Sequence, residues 1–325
     1  MHLSDALLST PVGLSGVVVA VGLLATAGKE IKEKDNTSMV PLMGVLGAFV
    51  FAAQMINFAI PGTGSSGHVI GGVLLAAFLG PWSAFITLAS VLIIQCLVFA
   101  DGGLLALGCN LVNMGAMTTL VAYPLIYKPI VGKSRSPWRI AAGSMAACIV
   151  GLELGATLVT VETMLSGVSA LKWNSFWSIM TLIHLPIGFV EGIATAAVLM
   201  FVARMRPDLL AGSDGERPSK KSVIRAVVWF ALATLVLVSG VVWFASSNPD
   251  GLEWSIEKVS GAEEIEQEHP TAVSTILGNV SDSTSIMPDY ENPLSGIAGA
   301  VIVLVIVWCI SSLLIKRHPR DAKNR

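Results

Sequence analysis

Two short stretches of this chain carry nitrogen donors that can share one metal ion. Met1-His2 offers an α-amine, the amide nitrogen of residue 2 and an imidazole, which together form adjacent chelate rings around a single cation. His68 closes the glycine-rich run Pro61-Gly62-Thr63-Gly64-Ser65-Ser66-Gly67-His68, and its imidazole would complete a four-nitrogen set. Nitrogen-rich, roughly planar donors suit Ni(II) or a neighbouring late first-row ion such as Co(II). An initiator methionine followed by a bulky histidine is expected to escape aminopeptidase trimming, which keeps the amine on Met1. Each histidine alone also has an ordinary reading, His2 as an incidental second residue and His68 as a packed or capping side chain.

What must position these groups is a membrane bundle. The chain is 54% hydrophobic and 13% charged, with a mean hydropathy of +0.74, and its apolar runs are long enough to cross a hydrocarbon core of ~30 Å. Apolar segments are expected at about 6–27, 40–60, 68–80, 82–100, 103–126, 139–160, 177–203, 222–245 and 293–315, the third of them short. Gly80-Pro81-Trp82 and Asp101-Gly102-Gly103 read as turns between spans. The four cysteines, Cys96, Cys109, Cys148 and Cys309, lie inside apolar runs without ligand-like spacing and read as small buried hydrophobes. The first segment has no basic leader region, so no cleavable signal is expected.

Charge then orients the spans. With the N-terminus outside, the stretches at about 28–39, 127–139, 203–225 and 316–325 face the cytoplasm and hold 18 of the chain's 20 lysines and arginines. Only Lys172 and Lys258 fall elsewhere. This positive-inside bias places Met1, His2 and the 61–68 loop together on the outer side, by an argument that makes no use of metal.

Several buried polar residues are candidates for an ion path or for groups that orient the ligands. Glu153, His184 and Glu191 lie within spans, where such side chains are costly; His184 and Glu191, seven apart, share a helical face. Asn57, Ser66, Asn110 and Asn113 can orient ligands by hydrogen bonds, though amides also tie helices together. Gly13, Gly16 and Ala20, Gly44 and Gly47, and Gly71 and Gly72 mark close helix packing. Between about 248 and 293 the composition turns polar, with Glu253, Glu263, Glu264, Glu266, Glu268, Asp282, Asp289 and Glu291, which reads as a solvated outer element. The 61–68 loop lacks the Gly-Lys-Ser/Thr ending of a phosphate loop, which excludes nucleotide binding, and no span carries Gly-x-Ser-x-Gly or His-Glu-x-x-His, which leaves intramembrane proteolysis a minor alternative. The basic residues are juxtamembrane, leaving no support for nucleic-acid binding.

Met1-His2, the run Pro-Gly-Thr-Gly-Ser-Ser-Gly-His-x-x-Gly-Gly at 61–72 and His184-Leu185-Pro186-x-Gly-x-x-Glu191-Gly192 resemble the substrate-binding subunit of cobalt and nickel energy-coupling-factor transporters, called CbiM or NikM. Residues 222–316, which include Pro249-Asp250-Gly251-Leu252-Glu253, resemble the small accessory subunit of those systems, CbiN or NikN, fused in the same chain. The resemblance implies an all-α polytopic membrane protein, about seven helices in a substrate-binding bundle plus two additional transmembrane helices. Its expected divisions are a metal-binding module at 1–205, a cytoplasmic linker at 206–221 and a two-span module at 222–325 with an extracytoplasmic segment at 246–292. By resemblance the metal ligands are Met1, His2 and His68, with Asn57, Ser66, His184 and Glu191 as supporting or path residues. Family members often begin Met-His-Ile or Met-His-Val followed by Asp-Gly, whereas this chain continues Leu3-Ser4-Asp5-Ala6.

No Walker motif occurs, so the chain is not expected to hydrolyse ATP. The resemblance implies partners that do: a transmembrane coupling subunit (CbiQ- or NikQ-like) and cytoplasmic ATPase subunits (CbiO- or NikO-like), assembled in the bilayer of the cell (inner) membrane with the N-terminus outside and the C-terminus in the cytoplasm. It implies no resident cofactor, only a transported Ni2+ or Co2+, with nickel slightly ahead. A self-sufficient secondary cation permease using Glu153, His184 and Glu191, or a membrane metal sensor signalling through the outer segment, remain the alternatives.

Overall fold

The computed structural model describes residues 1–34, 39–133, 136–169, 171–211, 219–261, 271–288 and 293–314. The helices are α1 (Thr10–Lys34), α2 (Val40–Gln54), α3 (Gly72–Leu79), α4 (Pro81–Phe99), α5 (Leu107–Val131), α6 (Pro137–Ser166), α7 (Trp173–Met205), α8 (Lys220–Ser239), α9 (Gly251–Ser260), α10 (Ala272–Thr284) and α11 (Pro293–Leu314). Between α2 and α3 lies a small antiparallel hairpin, β1 (Phe58–Ile60) and β2 (Ser65–Gly67), in the register Phe58↔Gly67, Ala59↔Ser66 and Ile60↔Ser65. Gly62 and Gly64 in its turn have φ of 80° and 78°, a region that glycine occupies without steric cost.

Among the described residues, seven helices are long and apolar enough to cross a membrane: α1, α4, α5, α6, α7, α8 and α11. This corrects the expectation of nine. The segment at 40–60 yields α2, a 15-residue helix that gives way to the hairpin. The segment at 68–80 yields α3, with 8 residues, which at ~1.5 Å per residue rises only ~12 Å. Gly71 and Gly80, both at φ 78°, bracket α3 and halt it at either end. Two of the seven long helices, α8 and α11, belong to the C-terminal part, so the N-terminal part contributes five. The acidic positions Glu263, Glu264, Glu266, Glu268, Asp289 and Glu291, residues 212–218 of the expected linker and the basic tail at 316–325 lie outside the described residues.

Small residues set the helix spacing, as expected where lipid supplies no hydrophobic drive and close packing must hold helices together. A Cβ on Gly188 of α7 would stand 2.9 Å from the Ile149 Cα, and one on Gly192 would stand 2.8 Å from the Met145 Cα, so α6 and α7 touch backbone to backbone. Gly16 of α1 packs on Cys109, and Gly108 of α5 packs back on Val17. The C-terminal helices join the bundle through α2: Gly44 faces the Leu304 carbonyl of α11, Gly47 faces Val303, and the Phe49 and Phe230 rings meet edge-on at 5.2 Å. The two long sections of the chain thus form one packed body.

Replacing Gly192 by leucine forces α6 and α7 apart, and such overpacking costs ~1–3 kcal/mol. Gly22→Leu on α1, where nothing lies within 4 Å, serves as the control and is expected to stay within ~0.5 kcal/mol. Thermal unfolding of the two variants in the same detergent checks the difference.

Candidate metal centre

The chain's first residues are threaded into the bundle. Met1 is 4% exposed, and Leu3, Leu7 and Leu8 are buried; each such leucine contributes roughly 2 kcal/mol of burial. Polar anchors then fix the path. Asn110, at the start of α5, reads both sides of Leu3: its Oδ1 accepts from the Leu3 N–H at 2.8 Å and its Nδ2 donates to the Leu3 carbonyl at 3.1 Å. The Gly103 N–H also donates to that carbonyl, at 3.0 Å. The carboxylate of Asp5 accepts from the Ala106 N–H at 3.0 Å and from the neighbouring peptides of Leu104 and Leu105, just ahead of α5. A Cβ on Gly103 would collide with Asp5. The departure Leu3-Ser4-Asp5-Ala6 therefore still gives a fixed path, held on Asp5.

His2 stands beside His68, with ring centroids 5.5 Å apart and planes tilted by 48°. Metal–imidazole bonds of roughly 2 Å bring one ion within reach of both rings. The His2 Nδ1 lies 3.4 Å from Asp101 Oδ1, while its buried Nε2 has no hydrogen-bond partner. Burial, reinforced by the nearby N-terminal ammonium, pushes the His2 imidazole down to about 3. Burial, then the same ammonium and His2, bring His68 to about 4. Both rings are therefore neutral at physiological pH, the state that coordinates metal. His68 Nδ1 lies 3.2 Å from the Val69 carbonyl. Donation of Nδ1–H to that oxygen leaves Nε2 with its lone pair.

Asp101 reaches this place through a strained corner. Helix α4 ends at Ala100, whose φ of 55° is the only positive value at a non-glycine among the described residues; an L-residue there costs roughly 1–2 kcal/mol. Gly102 follows at φ 89°, where a Cβ would stand 3.0 Å from Asn110 Nδ2 and 3.4 Å from His2 Cβ. Burial raises Asp101 to about 6 against the opposing pull of His68 and the ammonium.

The Met1 ammonium is paired with Asp250 Oδ2. The other oxygen, Oδ1, caps α9 by accepting from Leu252 N–H at 2.8 Å and Glu253 N–H at 2.9 Å, and Glu253 Oε2 accepts from Asp250 N–H at 3.0 Å. Burial opposes ionisation of Asp250, but the ammonium and these hydrogen bonds hold it well below the usual carboxylate range. Each residue of Pro249-Asp250-Gly251-Leu252-Glu253 has a visible task. The Pro249 carbonyl accepts from Ser66 N–H at 2.8 Å. Gly251 passes under His184 and Ile187, where a Cβ would sit 3.1 Å from each. Leu252 is buried.

The remaining candidates stand in different relations to this place. Ser66 Oγ donates to the Asn248 carbonyl at 2.7 Å, and Trp254 Nε1 donates to the Thr63 carbonyl at 3.0 Å, so the hairpin is stapled to the segment around Asp250. Both oxygens of Glu191 accept from the loop just past His68, Ile70 N–H and Gly71 N–H, each at 2.9 Å. His184 Nδ1 donates to the Met180 carbonyl at 2.7 Å, and the ring borders a small cavity shared with Met1, His68 and Asp250. Asn57 accepts from Ser246 N–H at 2.7 Å through its main-chain carbonyl. Asn113 lies on α5 and donates to Glu162 Oε2 at 2.7 Å. Glu153 Oε1 is buried without a partner.

Sequence reasoning missed Asp101, read as a turn residue, and Asp250, read as part of a motif. Their charge at the end of apolar runs was the one available signal. Among the described residues no group of three or more His, Cys, Asp or Glu side chains is arranged to hold a metal. The donor set expected here draws half its nitrogens from the backbone, which such a grouping does not count.

Comparison with known proteins agrees with this anatomy. Residues 2–209 match the family described as the cobalt uptake substrate-specific transmembrane region, CbiM, and residues 225–316 match the PDGLE domain. The chain is 30% identical over 333 residues to a putative fused nickel transport protein, NikMN, of Archaeoglobus fulgidus, covering 99% of this chain and 100% of that one. It is 29% identical over 280 residues to a probable fused nickel transport protein, LarMN, of Lactiplantibacillus plantarum, covering 83% and 82%. A crystal structure of a truncated transition metal transporter is similar with a TM-score of 0.56 and 30% identity, over 63% of this chain and 99% of that one. The chain is a multi-pass, non-catalytic membrane protein of the CbiM family of cobalt and nickel transport subunits, joined in one polypeptide to a PDGLE domain.

Proposed function

We propose that this protein is the substrate-capturing subunit of an ATP-driven importer for a divalent transition metal, with Ni2+ preferred over Co2+. The ion is bound from outside by the Met1 amine, the His2 amide and imidazole nitrogens, and the His68 imidazole. The observation that carries this reading is the convergence of a buried Met1 with two neutral imidazoles 5.5 Å apart. The preference follows the Irving–Williams order at an all-nitrogen site and the planar geometry nickel accepts. The names of the fused relatives, which refer to nickel transport, point the same way.

Loading rearranges two contacts. Chelation through the residue-2 amide uses His2 Nδ1, the ring nitrogen nearer the backbone, which now faces Asp101. Turning the ring over frees Nδ1 and lets the remaining N–H turn to a carboxylate, the usual partner of a ligating imidazole. The amine likewise exchanges Asp250 for the ion. Asp250 and Asp101 then serve as counter-charges to a complex whose four nitrogens, with one amide ionised, leave net positive charge on the metal.

Glu191 is a positioning residue, since its grip on Ile70 and Gly71 fixes the loop that presents His68. With both its oxygens engaged there, it is poorly placed for the proton relay a self-sufficient permease would need. Transport then depends on a transmembrane coupling subunit and cytoplasmic ATPases, with residues 1–205 as the binding module, 206–221 as a cytoplasmic linker and 222–325 as the accessory module. The charge distribution supports an outside N-terminus and a cytoplasmic C-terminus.

Metal analysis of the purified chain tests the ligand set. Wild type is expected to retain about one Ni2+ per chain, and His2→Ala and His68→Ala to lose it. Insertion of one glycine between Met1 and His2 leaves both imidazoles in place but moves the amine out of chelate register; undiminished binding by that variant would sink the reading. Glu191→Gln is expected to weaken affinity by roughly 10–100-fold.

Acidity supplies a second test. The amine and the amide each release a proton on binding, so affinity falls as pH falls. The imidazoles, already neutral down to about 3 for His2 and about 4 for His68, add to that dependence only at the acid end. Titration of Ni2+ binding between roughly pH 5 and 8 is expected to show a monotonic rise; a flat profile contradicts amine and amide ligation. Metal accumulation in cells that lack the coupling and ATPase subunits would instead select a permease.

A further inference from the structure

At the opposite end of the bundle from Met1, an apolar groove opens between α7 and α8, with a volume of about 1410 Å3 including its mouth. Phe201 and Met205 form one wall and Trp229 and Phe230 the other, with Phe49 behind them. Phe201, Met205 and Trp229 are 66%, 64% and 70% exposed, so large apolar side chains line a cleft that nothing among the described residues covers.

The groove has a polarity. Arg206 ends α7 and Arg225 lies near the start of α8, and both line the same mouth. From there the walls run inward to Ala197 on α7 and Ala233 on α8. At ~1.5 Å per residue these are depths of ~13 Å and ~12 Å, close to half of a ~30 Å hydrocarbon core. The cleft therefore has the depth of one leaflet, with its charged mouth at the level of the headgroups.

Among the described residues the mouth carries net positive charge. Arg206 is held by Asp208 through paired contacts of 3.0 Å and also meets Ser222, so its charge is largely compensated. Arg225 is exposed, and so is Lys221 one turn earlier. Lys221, Arg225, Trp229 and Ala233 recur every four residues and lie along one face of α8, so two cations stand directly above the apolar wall. Basic pockets between transmembrane helices near the cytoplasmic surface suit anionic headgroups.

We propose that this groove holds an anionic phospholipid of the cytoplasmic leaflet, its acyl chains between Phe201 and Trp229 and its phosphate on Arg225 and Lys221. The leaflet follows from the orientation proposed above; the site itself does not depend on the metal centre. The groove runs along the seam between the region matching the CbiM family, which ends at 209, and the PDGLE region, which begins at 225. The lipid therefore fills the gap between the two.

Native mass spectrometry of the full chain, titrated with phosphatidylglycerol or phosphatidylcholine of identical acyl chains, tests this. Wild type is expected to bind the glycerol lipid at least about fivefold more tightly. The double variant Lys221→Gln/Arg225→Gln is expected to lose that preference, and Ala233→Trp, which fills the inner end, to lower occupancy by both lipids. Thermal unfolding reports whether each variant is folded. Equal affinity of wild type for the two lipids overturns the proposal without reference to any variant, as does a preference that survives the double substitution. A photoreactive residue in place of Trp229 that crosslinks to a coupling subunit instead of lipid overturns it as well.

Discussion

A buried chain terminus needs a counter-charge, and the rest of this structure is arranged around that need. Met1 is almost wholly removed from solvent, and an ammonium taken out of water without a partner is expensive. Asp250 supplies the partner from 249 residues away. For its carboxylate to be there, the segment after α8 must lie across the hairpin, and Ser66 and Trp254 tie it down. For Met1 to be there, Leu3 and Asp5 must be held by the loop that opens α5. The positions of Met1 and His2, the hairpin and the PDGLE segment are thus tied to one burial.

That dependence gives a physical reason for the two regions to share a polypeptide. Helices α8 and α11 pack on α2 through Gly44, Gly47 and the Phe49–Phe230 pair, which positions the intervening segment over the outer end of the bundle. Asp250 has two oxygens and two loads: Oδ1 builds the first turn of α9 and Oδ2 holds the amine. If metal takes the amine, α9 keeps its cap, so the segment need not unfold when the ion arrives.

The sequence made the membrane class and the meeting of Met1, His2 and His68 at one place legible, because apolar run length and lysine–arginine placement are local and additive signals. It overstated the number of long helices, since hydropathy counts apolar residues whether or not they wind continuously. Phe58–Ile60 is apolar yet pairs as a strand, and Gly71 and Gly80 cut α3 to two turns. Asp5, Asp101 and Asp250 escaped notice for another reason. A carboxylate's role depends on which charge it meets, and these three meet partners across the fold that no spacing rule connects. Even the family motif at 249–253 marks Asp250 without revealing that its partner is the chain's first nitrogen.

The same carboxylates bear on how an ion can be both caught and released. With the ligand set proposed above, the ionised amide offsets only one of the two charges on the ion, so the complex would find its balance in Asp101 and Asp250. Both are held by other groups: Asp101 on a strained corner at Ala100, Asp250 on the cap of α9. A shift of either support changes the balance without touching a ligand.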